Sequence, residues 1–122
     1  MNISSALIID DETDICFLLG IVLRQKNIDV VQANTLVQGK AKLSELMPDL
    51  LFLDNKLPDG TGMNELKTIR KQFPVMKIIL MSANDDDAEQ KHALKNGADL
   101  FLSKPFSQES VEDSIEKLFE QN

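Results

Sequence analysis

Five short apolar runs, each separated from the next by a longer stretch of helical periodicity, leave this chain few ways to fold. Ala6-Leu7-Ile8-Ile9, Leu50-Leu51-Phe52-Leu53 and Ile78-Ile79-Leu80-Met81 are too short for helices and read as strands buried on both faces. With Val30-Val31 and Leu100-Phe101-Leu102 they predict strands over 5–9, 29–33, 49–53, 77–81 and 99–102. Ile15, Leu18, Leu19, Val22 and Leu23 form one apolar stripe at helical spacing, and Asn27 suits a left-handed cap after it. A second helix is predicted over 35–47, with Asn34 as N-cap and Pro48 as its stop. A third is expected over 63–73 before Pro74, and a fourth over 87–96 with Gly97 past its end. A fifth follows Ser107 and carries Val111, Ile115, Leu118 and Phe119 on one face.

Alternation of this kind requires right-handed crossovers and a parallel sheet covered on both sides. The predicted fold is therefore α/β, a doubly wound (βα)5 unit with the flavodoxin-like strand order 2-1-3-4-5. In such sheets ligands bind at the carboxyl ends of the strands, at the switch point between strands 1 and 3. Those ends carry polar residues: Asp10 and Asp11 after strand 1, Asp54 after strand 3, Ser82 after strand 4 and Lys104 after strand 5. Carboxylates, a hydroxyl and an amine converging on one crevice suit a divalent cation and a phosphoryl group.

The bulk properties exclude several other settings. The 122 residues form one domain, long enough to bury roughly two-thirds of the unfolded surface without staples. A net charge of −7 with no basic cluster argues against direct nucleic-acid binding. A single cysteine, Cys16, cannot form an internal disulfide, and no apolar run approaches the roughly twenty residues of a membrane helix. No signal-peptide pattern opens the chain, so a cytoplasmic location without membrane attachment is expected.

Four segments, Leu7-Ile-Ile-Asp-Asp-Glu, Asp54-Asn-Lys-Leu-Pro-Asp-Gly-Thr-Gly, Met81-Ser-Ala and Gly97-Ala-Asp-Leu-Phe-Leu-Ser-Lys-Pro-Phe, together resemble the receiver domain of two-component response regulators. The likeness covers nearly all of residues 1–122. It implies that Asp54 is the phosphoacceptor, supplied by a phosphohistidine on a sensor histidine kinase or histidine phosphotransfer protein. It further implies Mg²⁺ or Mn²⁺ held by Asp10, Asp11, Asp54 and the backbone carbonyl of Lys56. Ser82 and Lys104 would contact the phosphoryl oxygens, and a cis bond before Pro105 would aim Lys104 into the pocket. Ser82 and Phe101 would form the switch that alters the face made by the fourth helix, fifth strand and fifth helix. That face would address an output domain, a downstream protein or a second phosphorylated copy. Such a protein catalyses only its own phosphorylation and dephosphorylation.

Each residue also has a plainer reading. An Asp pair after a strand often caps the next helix, and Asp54, Ser82 and Lys104 would separately pass as turn, cap and solvated lysine. Their shared address at one sheet edge favours the joint site. Elsewhere the plainer readings prevail. Asp85-Asp86-Asp87 opens a helix, His92 is solvated, Cys16 is a small buried hydrophobe and Glu12 is a first-turn acid bordering the metal pocket. Asn55 is polar where an aliphatic residue commonly follows the acceptor, and Phe101 stands where tyrosine is frequent. Lys56 and Asn84 occupy variable positions that can shield or expose an acyl phosphate. The alternative function is a small Mg²⁺-dependent phosphatase or phosphotransferase with an Asp nucleophile, although no insertion here is long enough for a substrate cap.

Overall fold

A computed structural model describes residues 3–119, and in it the five apolar runs form a single parallel sheet. Its strands are β1 (Ser5–Ile9), β2 (Asp29–Ala33), β3 (Leu50–Asp54), β4 (Lys77–Ser82) and β5 (Leu100–Ser103). Numbered within this sheet, their spatial order is β2-β1-β3-β4-β5, as the alternating pattern predicts. The third and fifth strands begin one residue later than expected and run on to Asp54 and Ser103.

Alternate side chains of each strand feed opposite faces, so both faces are apolar. Leu7, Ile9, Leu51, Leu53, Ile78 and Leu80 pack with residues from α2 (Leu36–Leu46), α3 (Gly62–Gln72) and α4 (Asp87–Lys95). Ala6, Ile8, Leu50, Phe52, Ile79 and Met81 pack with α1 (Thr13–Gln25) and α5 (Gln108–Phe119). Full burial of a side chain such as Phe52 contributes about 2–3 kcal/mol, and this two-sided core holds the strand ends level. The register pairs Ile9 with both Ala33 and Leu53, Asp54 with Met81, and Ser82 with Ser103.

Helix ends follow local chemistry. Asn27 is left-handed (φ 61°) just past α1, the role its position suggests. Asn34 is not the N-cap of α2. Thr35 is extended there and its hydroxyl accepts from the Gln38 N–H (3.1 Å), while the Asn34 N–H donates to the Gln38 side chain. Two adjacent polar residues compete for one cap, and the backbone conformation at Thr35 decides it. Likewise α3 starts at Gly62, one residue early, because the Thr61 hydroxyl accepts from the Asn64 N–H. Between β3 and α3 a small antiparallel ladder pairs Lys56 with Thr61 and Leu57 with Gly60, folding Pro58-Asp59 into a hairpin tip. Gly97 is held at φ 122°, where a Cβ would also strike the Arg70 side chain.

Candidate functional site

The level strand ends gather the polar residues. Asp10 emerges from β1 wholly buried, Asp54 ends β3 at 4% exposure and Ser82 ends β4 at 5%. Lys104, one residue past β5, reaches across them. Its Nζ lies 3.0 Å from Asp10 Oδ2 and 3.0 Å from Asp54 Oδ1, and it also bonds Glu12 Oε1. The peptide bond between Lys104 and Pro105 is cis. A cavity of about 440 Å³ opens in front, lined among others by Asp11, Glu12, Asp54, Lys56, Ser82 and Lys104.

Negative charge concentrated on buried groups sets the electrostatics. Desolvation, reinforced by the Asp10 charge, pushes the Asp54 carboxyl up to about 6 against the pull of Lys104. Asp10 is raised as well, chiefly by burial, although the Glu12 N–H donates to its Oδ1 at 2.8 Å. Burial would lower the Lys104 ammonium, but hydrogen bonds to Glu12, Asp10 and Asp54 outweigh it and hold the group above its ordinary range.

Three carboxylates against one ammonium leave an excess of oxygen donors. Oxygens of Asp10, Glu12 and Asp54 lie within 4.8 Å of one another, and Asp10 Oδ2 is buried without a well-directed hydrogen bond. A buried carboxylate oxygen held only by an ion pair to Lys104, in such company, suits a small, hard divalent cation, which takes carboxylate and carbonyl oxygens and keeps several waters.

Not every residue singled out by sequence lies at the centre. Asp11 lines the cavity from an exposed position, and Glu12 is the third carboxylate of the tight cluster. Phe101 is half-buried against the core beneath α4 rather than in the cavity lining. Ser82 Oγ accepts from the Asn84 N–H at 3.1 Å. The remaining polar residues take their plainer roles. Asp86 caps α4 through the Glu89 N–H (2.8 Å), His92 is exposed beside Asn96, and Cys16 is buried under the Asp10 carbonyl. Desolvation pushes the Cys16 thiol up to about 11.

Two contributions escape a reading from residue types alone. The Asn55 side chain accepts from the Met63 N–H at 2.9 Å, and its backbone pairs with Met81 and Gly62. It therefore serves the first turn of α3 alongside Thr61 and fixes the residue next to Asp54; at eight residues before Met63, with a hairpin between, its spacing carries no capping signal. At Gly62 a Cβ would collide with the Asp54 carbonyl, so only glycine lets α3 start this close to the site.

Comparison with known proteins agrees with this arrangement. The pattern of the response regulator receiver domain matches residues 6–116. The chain is 36% identical over 103 residues to the KDP operon transcriptional regulatory protein KdpE of Escherichia coli (strain K12), covering 84% of this chain and 45% of that protein. It is 31% identical over 112 residues to the alkaline phosphatase synthesis transcriptional regulatory protein PhoP of Bacillus subtilis (strain 168), covering 92% and 47%. It thus spans less than half the length of these curated relatives. The crystal structure of a two-component response regulator from Clostridium difficile superposes with a TM-score of 0.89 at 29% identity, covering 97% of both chains. Motif order, fold and extent of match agree, and the chain belongs to the response regulator receiver domain family.

Proposed function

We propose that this chain, taken as one receiver unit over residues 1–122, accepts a phosphoryl group on Asp54 and signals by the resulting change in its surface. The observation that carries the reading is the Asp54 carboxylate, almost fully buried yet facing a cavity, with Lys104 Nζ 3.0 Å away. In the transfer, Asp54 attacks phosphorus, the bond to the donor's imidazole nitrogen breaks, and an acyl phosphate forms on Asp54. The donor is a sensor histidine kinase or a histidine phosphotransfer protein.

A carboxylate and a phosphoryl donor repel each other, so catalysis here is positioning and charge neutralisation. Asp10, Asp11, Asp54 and the Lys56 carbonyl are the residues that would hold Mg²⁺ or Mn²⁺, with Glu12 in reach. Such a cation would supply positive charge to offset that on the phosphoryl oxygens. Lys104 supplies a compact positive charge on the other side, exchanging part of its carboxylate contacts for a phosphoryl oxygen. Ser82, whose hydroxyl oxygen accepts from the Asn84 N–H, has its O–H free to donate a hydrogen bond to a phosphoryl oxygen. Water later cleaves the acyl phosphate, which returns the chain to its starting state.

Inward movement of Ser82 leaves room for the Phe101 ring, and that repacks α4, β5 and α5. This face then addresses an output domain or downstream protein in the cytoplasm, or a second phosphorylated copy. Binding shifts a pre-existing equilibrium between two arrangements. The net charge of −7 supports contact with proteins rather than nucleic acid through this segment. The test is intact-mass analysis after incubation with acetyl phosphate. One phosphoryl group per chain is expected with Mg²⁺ and none in EDTA or in Asp54→Asn. Stoichiometric labelling of Asp54→Asn, or sustained turnover of an aryl phosphate, would refute the reading.

A further inference from the structure

The hairpin that follows the acceptor strand is fastened at both ends. At its base, Asn55 and Gly62 bond each other and the Asn55 side chain accepts from the Met63 N–H in the first turn of α3. At its tip, the two oxygens of Asp59 accept the N–H groups of Leu36 (2.8 Å) and Val37 (3.0 Å), more than twenty residues away in sequence. These are the first two amides of α2, and the Thr35 cap serves only Gln38. The same bonds hold the Asp59 carboxyl below its ordinary range.

The far side of this latch is rigid. Leu36 is 5% exposed, Leu43 1%, and Gly39 lets α2 sit so close to β1 that a Cβ there would collide with Ile9. Ile9 directly precedes Asp10. The near side is the opposite. Lys56, Pro58, Asp59, Gly60 and Thr61 are all exposed, and of the ladder's four residues only Leu57 is buried. Lys56, Leu57 and Pro58 nevertheless form one wall of the cavity. A two-residue ladder cannot hold such a wall by itself.

We propose that Asp59 is a positioning residue for cation binding: by clamping the hairpin tip to the first turn of α2, it fixes the Lys56 carbonyl relative to Asp10 and Asp54. The proposal rests on the reading above that Lys56 is a ligand. Asp59 touches neither cation nor phosphoryl group. It acts as outer partners of metal ligands do, by orienting a group that binds.

Calorimetric titration with magnesium chloride, well below the melting temperature, tests this. Asp59→Ala should weaken Mg²⁺ binding about tenfold. Asp59→Asn, which keeps one acceptor oxygen at the tip, should recover part of the affinity. Thr35→Ala removes a cap from the same helix end without touching the hairpin; it should lower the melting temperature and leave Mg²⁺ affinity unchanged. By reciprocity, Mg²⁺ should slow hydrogen exchange at the Leu36 and Val37 amides in the wild type and not in Asp59→Ala. Unchanged affinity in Asp59→Ala, or an equal loss in Thr35→Ala, overturns the proposal while leaving the acceptor reading intact. No Mg²⁺ binding by the wild type overturns that reading and the proposal with it.

Discussion

Removing the Asp54 carboxylate should stabilise the protein while it holds no metal. A carboxyl raised from 3.8 to about 6 costs stability in its ionised form, by about 3 kcal/mol when fully charged. The cost is complete above the folded value of about 6, shrinks to about 1 kcal/mol at pH 4.5 and disappears below 3.8. Asp54 is 4% exposed, so solvent screening reduces it little, and the raised value already includes the attraction of Lys104. Asp54→Asn keeps the shape, removes the charge and leaves Lys104 paired with Asp10 and Glu12. For 122 residues each kcal/mol moves the melting temperature by about 4 °C, so the variant should melt about 12 °C higher at pH 8 in EDTA. The assay is thermal unfolding by circular dichroism at pH 8 and pH 4.5. The difference should shrink to about a third at the lower pH. Saturating Mg²⁺ should narrow it at pH 8, because the cation stabilises the wild type more. An Asn variant no more stable than wild type at pH 8, or equally favoured at both pH values, would refute the reasoning.

Three further outcomes follow from the same structure. Arg70 donates to the Gly97, Phe73, Pro74 and Met76 carbonyls and to Asp99 at 2.7 Å, so Arg70→Ala should cost about 3 kcal/mol in urea unfolding, with no rescue by Lys; a loss below about 1 kcal/mol would contradict it. Cys16 is 4% exposed with its thiol pushed up to about 11, so Ellman's reagent should react at least a hundredfold faster in denaturant than in the native protein at pH 8, and fast native labelling would contradict that. Ser82→Ala should take up phosphate slowly and transmit it poorly; amide spectra with beryllofluoride that match wild type over residues 84–119 would exclude Ser82 as the link.

Local patterns made most of the fold legible. Short apolar runs locate all five strands within a residue; β1, β3 and β4 are buried on both faces, while the edge strand β2 is marked by Val30 and Val31 between exposed Asp29 and Gln32. The sheet edge was equally readable, since Asp10, Asp54, Ser82 and Lys104 each end or follow such a run. What composition and spacing miss is pairing over distance. Asp59 looks like a turn residue, and only the folded chain shows its carboxylate on Leu36 and Val37. Glu12 reads as a first-turn acid, yet its carboxylate meets Lys104, which lies 92 residues away. Asn34 and Thr35 are both good caps, and only the folded backbone, extended at Thr35 with its hydroxyl on the Gln38 N–H, shows which of them serves α2.

The central claim is that Asp54 is the residue that carries the phosphoryl group. An acyl phosphate is reduced by borohydride to the alcohol, which converts the acceptor aspartate to homoserine and marks its position permanently. After acetyl phosphate and Mg²⁺, borohydride and tandem mass spectrometry should find homoserine at position 54, with none in the EDTA control. Homoserine at Asp10, Asp11 or elsewhere in a phosphorylated sample, with aspartate intact at position 54, would contradict the account.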